Sequence, residues 1–273
     1  MIFKLILKAP LSAKLGIIMV LVSIAAGLLA PVVSPYGETE VISNIWLQSS
    51  SDHLLGTDHL GRDIFTRLLY GARNTIAIAF FTTILSFLSG TIMGFLAATL
   101  GGWTDLILSR IVDILMAFPT LIFALMVLSV VGTSMSSLIL TIAILDSTRV
   151  YRLSRAVAMD IVAMEFVEAA RLRGERTWWL MRYEILPNAL PPLVAEFGLR
   201  FCFVFLFISS LSFLGLGIQP PIADWGGMVR ENAGAITYGI FSPFWPAAAI
   251  AFLTVGVNLI VDWFLHIASG LKE

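Results

Sequence analysis

EFVEAARLRGERTWWLMRYEILPN, residues 165–188, is a polar and charged segment in a chain that is otherwise mostly apolar. Seven arginines lie between positions 149 and 182, and Trp178 and Trp179 lie among them. Long uncharged stretches flank this region on both sides. Because a polar segment between two hydrophobic spans must lie at or beyond the membrane surface, it divides the chain into two sets of membrane helices.

Composition supports a membrane protein. The chain has 273 residues, of which 58% are apolar and 13% charged, whereas a soluble domain is about half apolar and about a quarter charged. The formal net charge of −1 provides no basic field for nucleic acid, so no nucleic-acid partner is expected. The single cysteine, Cys202, excludes an intrachain disulfide and paired-cysteine metal motifs, and we interpret it as a small buried hydrophobe.

Uncharged stretches long enough to cross a membrane predict an all-α membrane protein of six transmembrane helices. The predicted spans are 13–34, 75–100, 106–130, 136–157, 189–217 and 243–268. Lysines ahead of the first stretch would also suit a cleaved signal peptide, but its apolar core is longer than a typical signal core. The predicted organisation is a tail (1–12), a first transmembrane helix (13–34), a loop (35–74), a five-helix core (75–268) containing a polar loop at about 160–187, and a short end (269–273).

The distribution of basic residues predicts the orientation, because loops rich in lysine and arginine stay in the cytoplasm. With six spans, one side carries Lys4, Lys8, Lys14, Arg110, Lys272 and the seven arginines between positions 149 and 182. The other side carries Arg62, Arg67, Arg73 and Arg230, offset by Glu38, Glu40, Asp52, Asp58, Asp63, Asp224 and Glu231. Both termini and the 165–188 segment are therefore expected in the cytoplasm, and the loops at 35–73 and 218–242 outside.

The cytoplasmic segment has the pattern of two short helices, at 164–173 and 175–183. Gly174 can take the left-handed conformation that ends a helix, and Pro187 suits the entry to the next span. Two interpretations stay open on these residues alone. The segment is either an interfacial anchor, with its tryptophans at the headgroup level, or a docking helix whose small residues allow close approach to a cytoplasmic partner.

Several motifs resemble one transporter family. Glu168-Ala169-Ala170, Gly174 and Leu186-Pro187 resemble the EAA loop of bacterial ABC importer permeases. The stretches HLLGTDHLGRDIFTRLLYGAR (53–73), DILMAFPTLIF (113–123), LSFLGLGIQPP (211–221) and DWGGMV (224–229) are similar to the dipeptide/oligopeptide/nickel group of those permeases. The chain departs from that group at Ser209 and Ser210, where an acidic residue is common, at Asp146, where an aromatic residue is usual, and in its carboxyl end.

The resemblance implies a type I ABC importer permease fold in the bacterial inner membrane, with a coupling-helix loop between helices 4 and 5. It implies a heterodimer with a similar permease, two cytoplasmic ATPases and an extracytoplasmic binding protein. ATP and Mg would bind to the ATPases, and this chain, which lacks a G-x-x-x-x-G-K-[ST] loop, would bind no cofactor and catalyse no reaction. Short peptides are the first expected cargo, nickel or another metal chelate the second, and a small amide-containing metabolite the third. The implied ATPase-coupling residues are Glu168, Ala169, Ala170, Gly174, Leu186 and Pro187.

Other polar residues allow more than one interpretation. Glu196 and Arg200 are four residues apart, so they either form an intrahelical ion pair or line the translocation path, for which Ser209 and Ser210 are further candidates. Asp146 and Arg149 are close enough along the helix that they could pair within one turn. Gly90 and Gly94 suit close helix packing, within the subunit or against a second permease. The candidate contacts for the binding protein are Asp58, Arg62, Asp63, Asp224 and Trp225.

Three alternatives to this interpretation are a metal site, a stand-alone carrier or channel, and an intramembrane hydrolase. His53, Asp58, His59 and Asp63 have the side chains of a metal site, but the glycines around them and a helix beginning near Ile64 favour a structured loop with an aspartate cap, so no metal is predicted. A stand-alone ion-coupled carrier or channel would need paired ionisable groups near mid-membrane and inverted repeats, and neither is evident in the sequence. An intramembrane hydrolase would need a catalytic set, which is also missing.

Overall fold

The computed structural model describes residues 9–268. All of the regular secondary structure within that range is helical. The predicted tail residues Lys4 and Lys8, and Lys272 at the other end, lie outside the described residues. The helices are α1 Leu11–Val33, α2 Ile64–Leu100, α3 Gly102–Ala117, α4 Thr120–Val131, α5 Met135–Val162, α6 Glu165–Leu172, α7 Thr177–Trp179, α8 Leu186–Phe213, α9 Trp225–Asn232 and α10 Phe244–Ala268. A π-helical turn, Leu180–Ile185, joins α7 to α8, and a 3₁₀ helix, Ala233–Tyr238, follows α9.

Four helical segments are long and apolar enough to cross a membrane: α1, α2, the continuous α7–α8 segment and α10. Helices α3 and α4 reach this length only together, and they are bent by 90° at the break between them. A single straight helix over 106–130 was therefore the wrong prediction. Phe118 takes an extended conformation before Pro119, which lacks an amide hydrogen and disfavours helical geometry in the residue before it.

Two helical segments begin more than ten residues earlier than predicted. Helix α2 starts at Ile64 rather than at 75, because the Asp63 carboxylate accepts the Thr66 amide at 2.7 Å and caps a polar first section. The aspartate cap is confirmed, and the loop predicted at 35–74 covers only 34–63. The predicted second short helix, 175–183, is instead continuous with the following span from Thr177 onward.

Helices α2 and α5 pack along much of their length, and two glycines set their distance. A Cβ atom on Gly90 would lie 2.6 Å from the Ser147 carbonyl oxygen, and one on Gly94 would lie 2.8 Å from the Arg155 amide. Neither space admits a side chain. The small-residue pair therefore packs within this subunit, and the alternative partner for it, a second permease, is not needed.

Two buried clusters position the polar regions described below. One lies between α2, α5, α8 and α9 and contains Phe205, Ile208, Leu211, Trp225 and Met228. The other lies beneath α6, where residues from α2, α5 and α8 meet it. Helix α1 packs on α10 and α2, away from α6.

Candidate functional site

The inner face of α6 is fixed to the rest of the chain. Val167 and Ala170 are fully buried in a cluster with Phe95 and Ile185. The Arg171 guanidinium also donates a hydrogen bond at 3.0 Å to the Thr99 carbonyl oxygen, near the end of α2. A force applied to α6 would therefore reach α2, α5 and α8 through direct contacts.

The outer face of α6 is exposed. We define the α6 surface as Glu168, Ala169, Leu172 and Gly174, all of which are exposed, with Leu172 at 84% of its full accessibility. Ala170, which was also predicted to act in ATPase coupling, lies on the opposite face of the helix and is fully buried in the cluster beneath α6. Its role in coupling stays a prediction. Leu186 and Pro187, the first two residues of α8, are also exposed.

Gly174 ends α6 in the left-handed conformation, as predicted, with φ +86°. Its amide donates to the Arg171 carbonyl oxygen at 2.9 Å, and the next amide, of Glu175, donates to Ala170 at 3.3 Å. A Cβ atom at Gly174 would meet nothing within 4 Å, so within this chain the glycine is required by its backbone angle. Close approach of Gly174 to a cytoplasmic partner stays a prediction.

A four-residue ionic network, the outer network, joins the 34–63 loop to α2 and α9. The Asp58 carboxylate accepts from the Arg62 side chain at 2.7 Å and lies 3.4 Å from that of Arg67. The Glu231 carboxylate lies 3.2 Å from both guanidiniums. Two negative and two positive charges are thus balanced in an almost fully buried site, with the Arg67 side chain only 1% exposed. This is the geometry in which buried charges are tolerated.

The five residues proposed to touch the binding protein are buried in this chain. Asp63 caps α2, and Asp224 caps α9 by accepting the Gly227 amide at 2.7 Å and the Thr75 hydroxyl at 2.9 Å. Burial raises the pKa of the Asp224 carboxyl above its ordinary value. Trp225 donates to the Leu68 carbonyl oxygen at 2.9 Å. These side chains, with Asp58 and Arg62, hold the outer loop in shape and present little surface to a partner, which corrects the expectation of direct contact.

The four residues considered for metal binding do not come together. His53 lies 3.6 Å from Asp63, while Asp58 belongs to the outer network. A different trio, Asp58, His59 and Glu231, has potential ligand atoms within 4.8 Å of one another. Both of its carboxylates already face the guanidiniums of Arg62 and Arg67, whose charges oppose a cation there.

A second polar network joins three long helices. The Arg200 guanidinium lies 2.8 Å from Glu196, which confirms the intrahelical pair, and 3.4 Å from Asp146 of α5. The Ser86 hydroxyl of α2 donates to Asp146 at 2.6 Å. The guanidinium of Arg149, the other partner considered for Asp146, lies over the Phe203 ring, 4.3 Å from its centroid.

Comparison with known proteins decides the family. Residues 90–269 match the family described as binding-protein-dependent transport system inner membrane component. The chain belongs to this family. It is therefore a permease: a multi-pass inner-membrane component of an ABC importer that works with other subunits.

Similar curated proteins cover nearly the whole chain. The dipeptide transport system permease protein DppC of Alkalihalophilus pseudofirmus is 34% identical over 94% of this permease and 84% of its own length. The di/tripeptide transport system permease protein DppC of Pseudomonas aeruginosa is 32% identical, over 90% and 84% respectively. The glutathione transport system permease protein GsiD of Pectobacterium atrosepticum is 34% identical, over 78% and 71%.

Two solved structures share the fold. A crystal structure of an amino acid ABC transporter with histidines has a chain that aligns with a TM-score of 0.55 and 22% identity, covering 72% of this permease and 92% of that chain. The MetNI methionine ABC transporter in inward-facing conformations aligns with a TM-score of 0.54 and 19% identity, covering 76% and 96%. At these identities the likeness supports the architecture of the permease and nothing about its cargo.

The two serines predicted on the path make hydrogen bonds within their own helix. The Ser209 hydroxyl donates to Phe205 at 2.9 Å and the Ser210 hydroxyl to Leu206 at 2.8 Å. Both residues line a groove of about 450 Å³ beside α9 and α10, with Ser209 buried and Ser210 exposed. Their role in translocation stays a prediction.

Sequence reasoning missed a polar ladder between α3 and α5. Asp113 accepts from Arg152 at 2.8 Å, and Asp105 pairs with both nitrogens of the Arg155 fork. A hydrogen bond of 2.8 Å between the Ser109 and Tyr151 hydroxyls lies between these pairs. The available signal was opposite charge on consecutive predicted spans, but sequence alone gave no register between the two helices.

Proposed function

We propose that this permease is one of two membrane subunits of an importer for short peptides, driven by ATP hydrolysis on separate subunits. The names of its relatives, which include dipeptide, di/tripeptide and glutathione permeases, support peptide cargo. In this proposal the chain binds no cofactor, ATP and Mg are held by two partner ATPases, and an extracytoplasmic binding protein delivers the cargo.

The proposed topology has six crossings: α1, α2, α3 with α4 as one broken span, α5, α8 and α10. Of these, α5 is the crossing that carries the most charged residues. Both termini and α6 then lie in the cytoplasm, while the 34–63 loop and α9 lie outside. The arginine-rich region around α6 supports this orientation. The pairing of charges on α5 with residues of α2, α3 and α8 supports its place inside the membrane, since paired ionisable groups are far less costly there.

The observation that carries the coupling proposal is the two-sided character of α6. Its inner face is buried against the ends of three long helices, and its outer face leaves Leu172 almost fully exposed. We propose that the α6 surface docks in a groove of an ATPase, and that ATP favours the state in which the two ATPases approach. Motion of α6 then tilts the attached helices and opens the path on the outer side. The shift requires that ATP bind the two states with different affinity.

Leu172→Asp tests docking. A buried charge at the proposed interface would remove the ATPases from the purified complex, whereas the fold should persist because Leu172 makes little contact within the chain. Ile236→Asp, at an exposed position of the outer 3₁₀ helix, is the matched control and should leave ATPase co-purification unchanged. Normal ATPase recovery and ATP-driven uptake with Leu172→Asp would refute the coupling role of α6.

Orientation can be tested with single cysteines, because Cys202 is the sole cysteine and is buried. In a Cys202→Ser background, Ile236→Cys should react with a membrane-impermeant maleimide added outside intact spheroplasts, and Leu172→Cys should react only after lysis. Reaction of Leu172→Cys in intact spheroplasts would contradict the cytoplasmic placement of α6.

Cargo and energy source are tested together with the reconstituted complex. Uptake of a labelled dipeptide that requires ATP and the binding protein supports the proposal. Selective uptake of nickel would favour the metal-chelate alternative. Uptake by the permease alone, driven by an ion gradient, would favour the carrier alternative, for which the Asp146, Glu196 and Arg200 network supplies ionisable groups.

A further inference from the structure

A large apolar groove opens on the surface of this chain. It has a volume of about 560 Å³ and lies between α1, α2, α8 and α10. Aromatic rings form its walls, with Phe80 and Phe197 in edge-to-face contact at 6.2 Å between centroids. Phe80 and Phe81 remain exposed, so the groove is open to the surroundings of the subunit. Small residues such as Ala77 leave the space between the rings free.

One cationic residue is among those that line this groove. Arg73 is exposed and lines it, and within residues 9–268 its guanidinium has no hydrogen bond or ion pair. This differs from Arg62 and Arg67, which are both paired in the outer network. Because no described group of its own chain pairs with it, the Arg73 guanidinium is free to bind an anion.

The position of Arg73 along α2 indicates which anion. Arg73 is the last charged residue before the uncharged stretch 74–104, so it marks the boundary between the headgroup region and the hydrocarbon. Phe80 and Phe81 follow seven and eight residues later, about 10–12 Å further into the bilayer at about 1.5 Å per residue. A phospholipid has this arrangement of a charged headgroup followed by an apolar chain.

We propose that the groove holds an anionic phospholipid, with its phosphate on Arg73 and one acyl chain between the rings of Phe80, Phe81, Phe197 and Phe201. The leaflet is the one on the side of the 34–63 loop. The lipid bridges α1 and α10 to α2 and α8, and so occupies a space between helices that the permease itself leaves unfilled. This site is independent of the proposed coupling role of α6.

Photocrosslinking of the intact importer complex tests the site. The complex is reconstituted in nanodiscs with phosphatidylglycerol that carries a photoactivatable group in its acyl chain, over a background of zwitterionic lipid. Crosslinks are mapped by mass spectrometry and are expected on the peptides around residues 76–81 and 197–201. Arg73→Gln should lower them about fivefold, because one interfacial arginine contributes about 1 kcal/mol to binding an anionic surface.

Two further variants separate the site from general effects. Ala77→Trp fills the groove and should abolish the crosslinks, with thermal unfolding measured to confirm that the variant folds. Arg230→Gln removes another exposed arginine of the outer side, away from the groove, and should leave the crosslinks unchanged.

Three outcomes would overturn the proposal. The first is equal labelling of wild type and Arg73→Gln, and the second is equal labelling by photoactivatable phosphatidylcholine and phosphatidylglycerol. The third is crosslinking of Phe80 or Phe81 to another protein subunit, which would make the groove a subunit interface. Uptake and ATPase co-purification are measured on the same variants, so failure of the lipid site is distinguishable from failure of the transport proposal.

Discussion

At the scale of single residues, the buried arginine at position 67 shows how the outer loop is held. Its guanidinium faces both Asp58 and Glu231, so it contacts the loop and α9 from its place on α2. Removing one member of such a network leaves the opposite charges buried without compensation, and this loss exceeds the net contribution of the intact pair.

Arg67→Met should therefore destabilise the permease by about 3–5 kcal/mol. The measurement is thermal unfolding in nanodiscs, with the exposed Arg230→Met as the control. Adding Glu231→Gln to Arg67→Met should recover part of the loss, because it removes the one negative charge left in excess and leaves Asp58 paired with Arg62. An Arg67→Met protein as stable as the Arg230→Met protein would contradict the buried network.

His59 gives this outer region a defined response to acid. Burial lowers the pKa of its imidazole below the ordinary value of 6.5, while Asp58 and Glu231 partly oppose that shift. As pH falls through 6.5, the unfolded chain binds the proton first, so stability decreases toward acid. The stability of wild type should therefore begin to fall as pH drops toward 6.5 and continue to fall below it. His59→Asn should show a smaller fall in the same unfolding assay, and an equal fall would exclude His59 as the cause.

At the scale of elements, adjacent alanines of α6 provide a matched pair. Ala170 is fully buried beneath the helix, and Ala169 is exposed on the α6 surface. Ala170→Glu buries an unpaired charge and should lower stability by several kcal/mol, with loss of folded permease from the membrane. Ala169→Glu should leave unfolding unchanged and instead reduce ATPase recovery. Similar unfolding temperatures for the two variants would show that α6 is not fixed on the subunit as described.

Helix boundaries could be predicted from the sequence wherever a single local feature determines them. The uncharged stretches predicted α1 and α10 to within two residues, and Gly174 predicted the end of α6. The helix beginning near Ile64 was predicted, but its continuity with the span from 75 was missed because Arg67 and Arg73 lower hydropathy, although buried pairing makes Arg67 compatible with a helix. The break at Pro119 was missed because both halves around it are apolar.

The candidate site was less predictable than the helices. Motif spacing identified the α6 segment, but only the fold shows that Ala170 faces inward and Leu172 outward. The partners of Asp146 are 60 and 54 residues away, at Ser86 and Arg200. Such pairs depend on the register between helices, which no local pattern in one sequence contains.

At the scale of the whole molecule, the Ser86, Asp146, Glu196 and Arg200 network connects α2, α5 and α8 within the apolar part of the chain. These are the same three helices whose ends hold α6, so motion of α6 and the state of this network are mechanically linked. Asp146 and Arg200 form an ion pair between α5 and α8, and the low polarity around them makes an unpaired charge costly.

A double-mutant cycle on Asp146→Asn and Arg200→Met measures this connection. Each single change should destabilise the permease, with Arg200→Met the more severe at about 3–5 kcal/mol, because it leaves both Asp146 and Glu196 without their guanidinium. The coupling energy from unfolding of the four proteins should be about 0.5–3 kcal/mol, as for residues in one network. Asp113→Asn and Arg152→Met, an exposed pair at 2.8 Å between α3 and α5, form the control cycle and should couple by less than about 1 kcal/mol. Equal coupling energies in the two cycles would mean that the buried Asp146–Arg200 pair stabilises the permease no more than the exposed Asp113–Arg152 pair does.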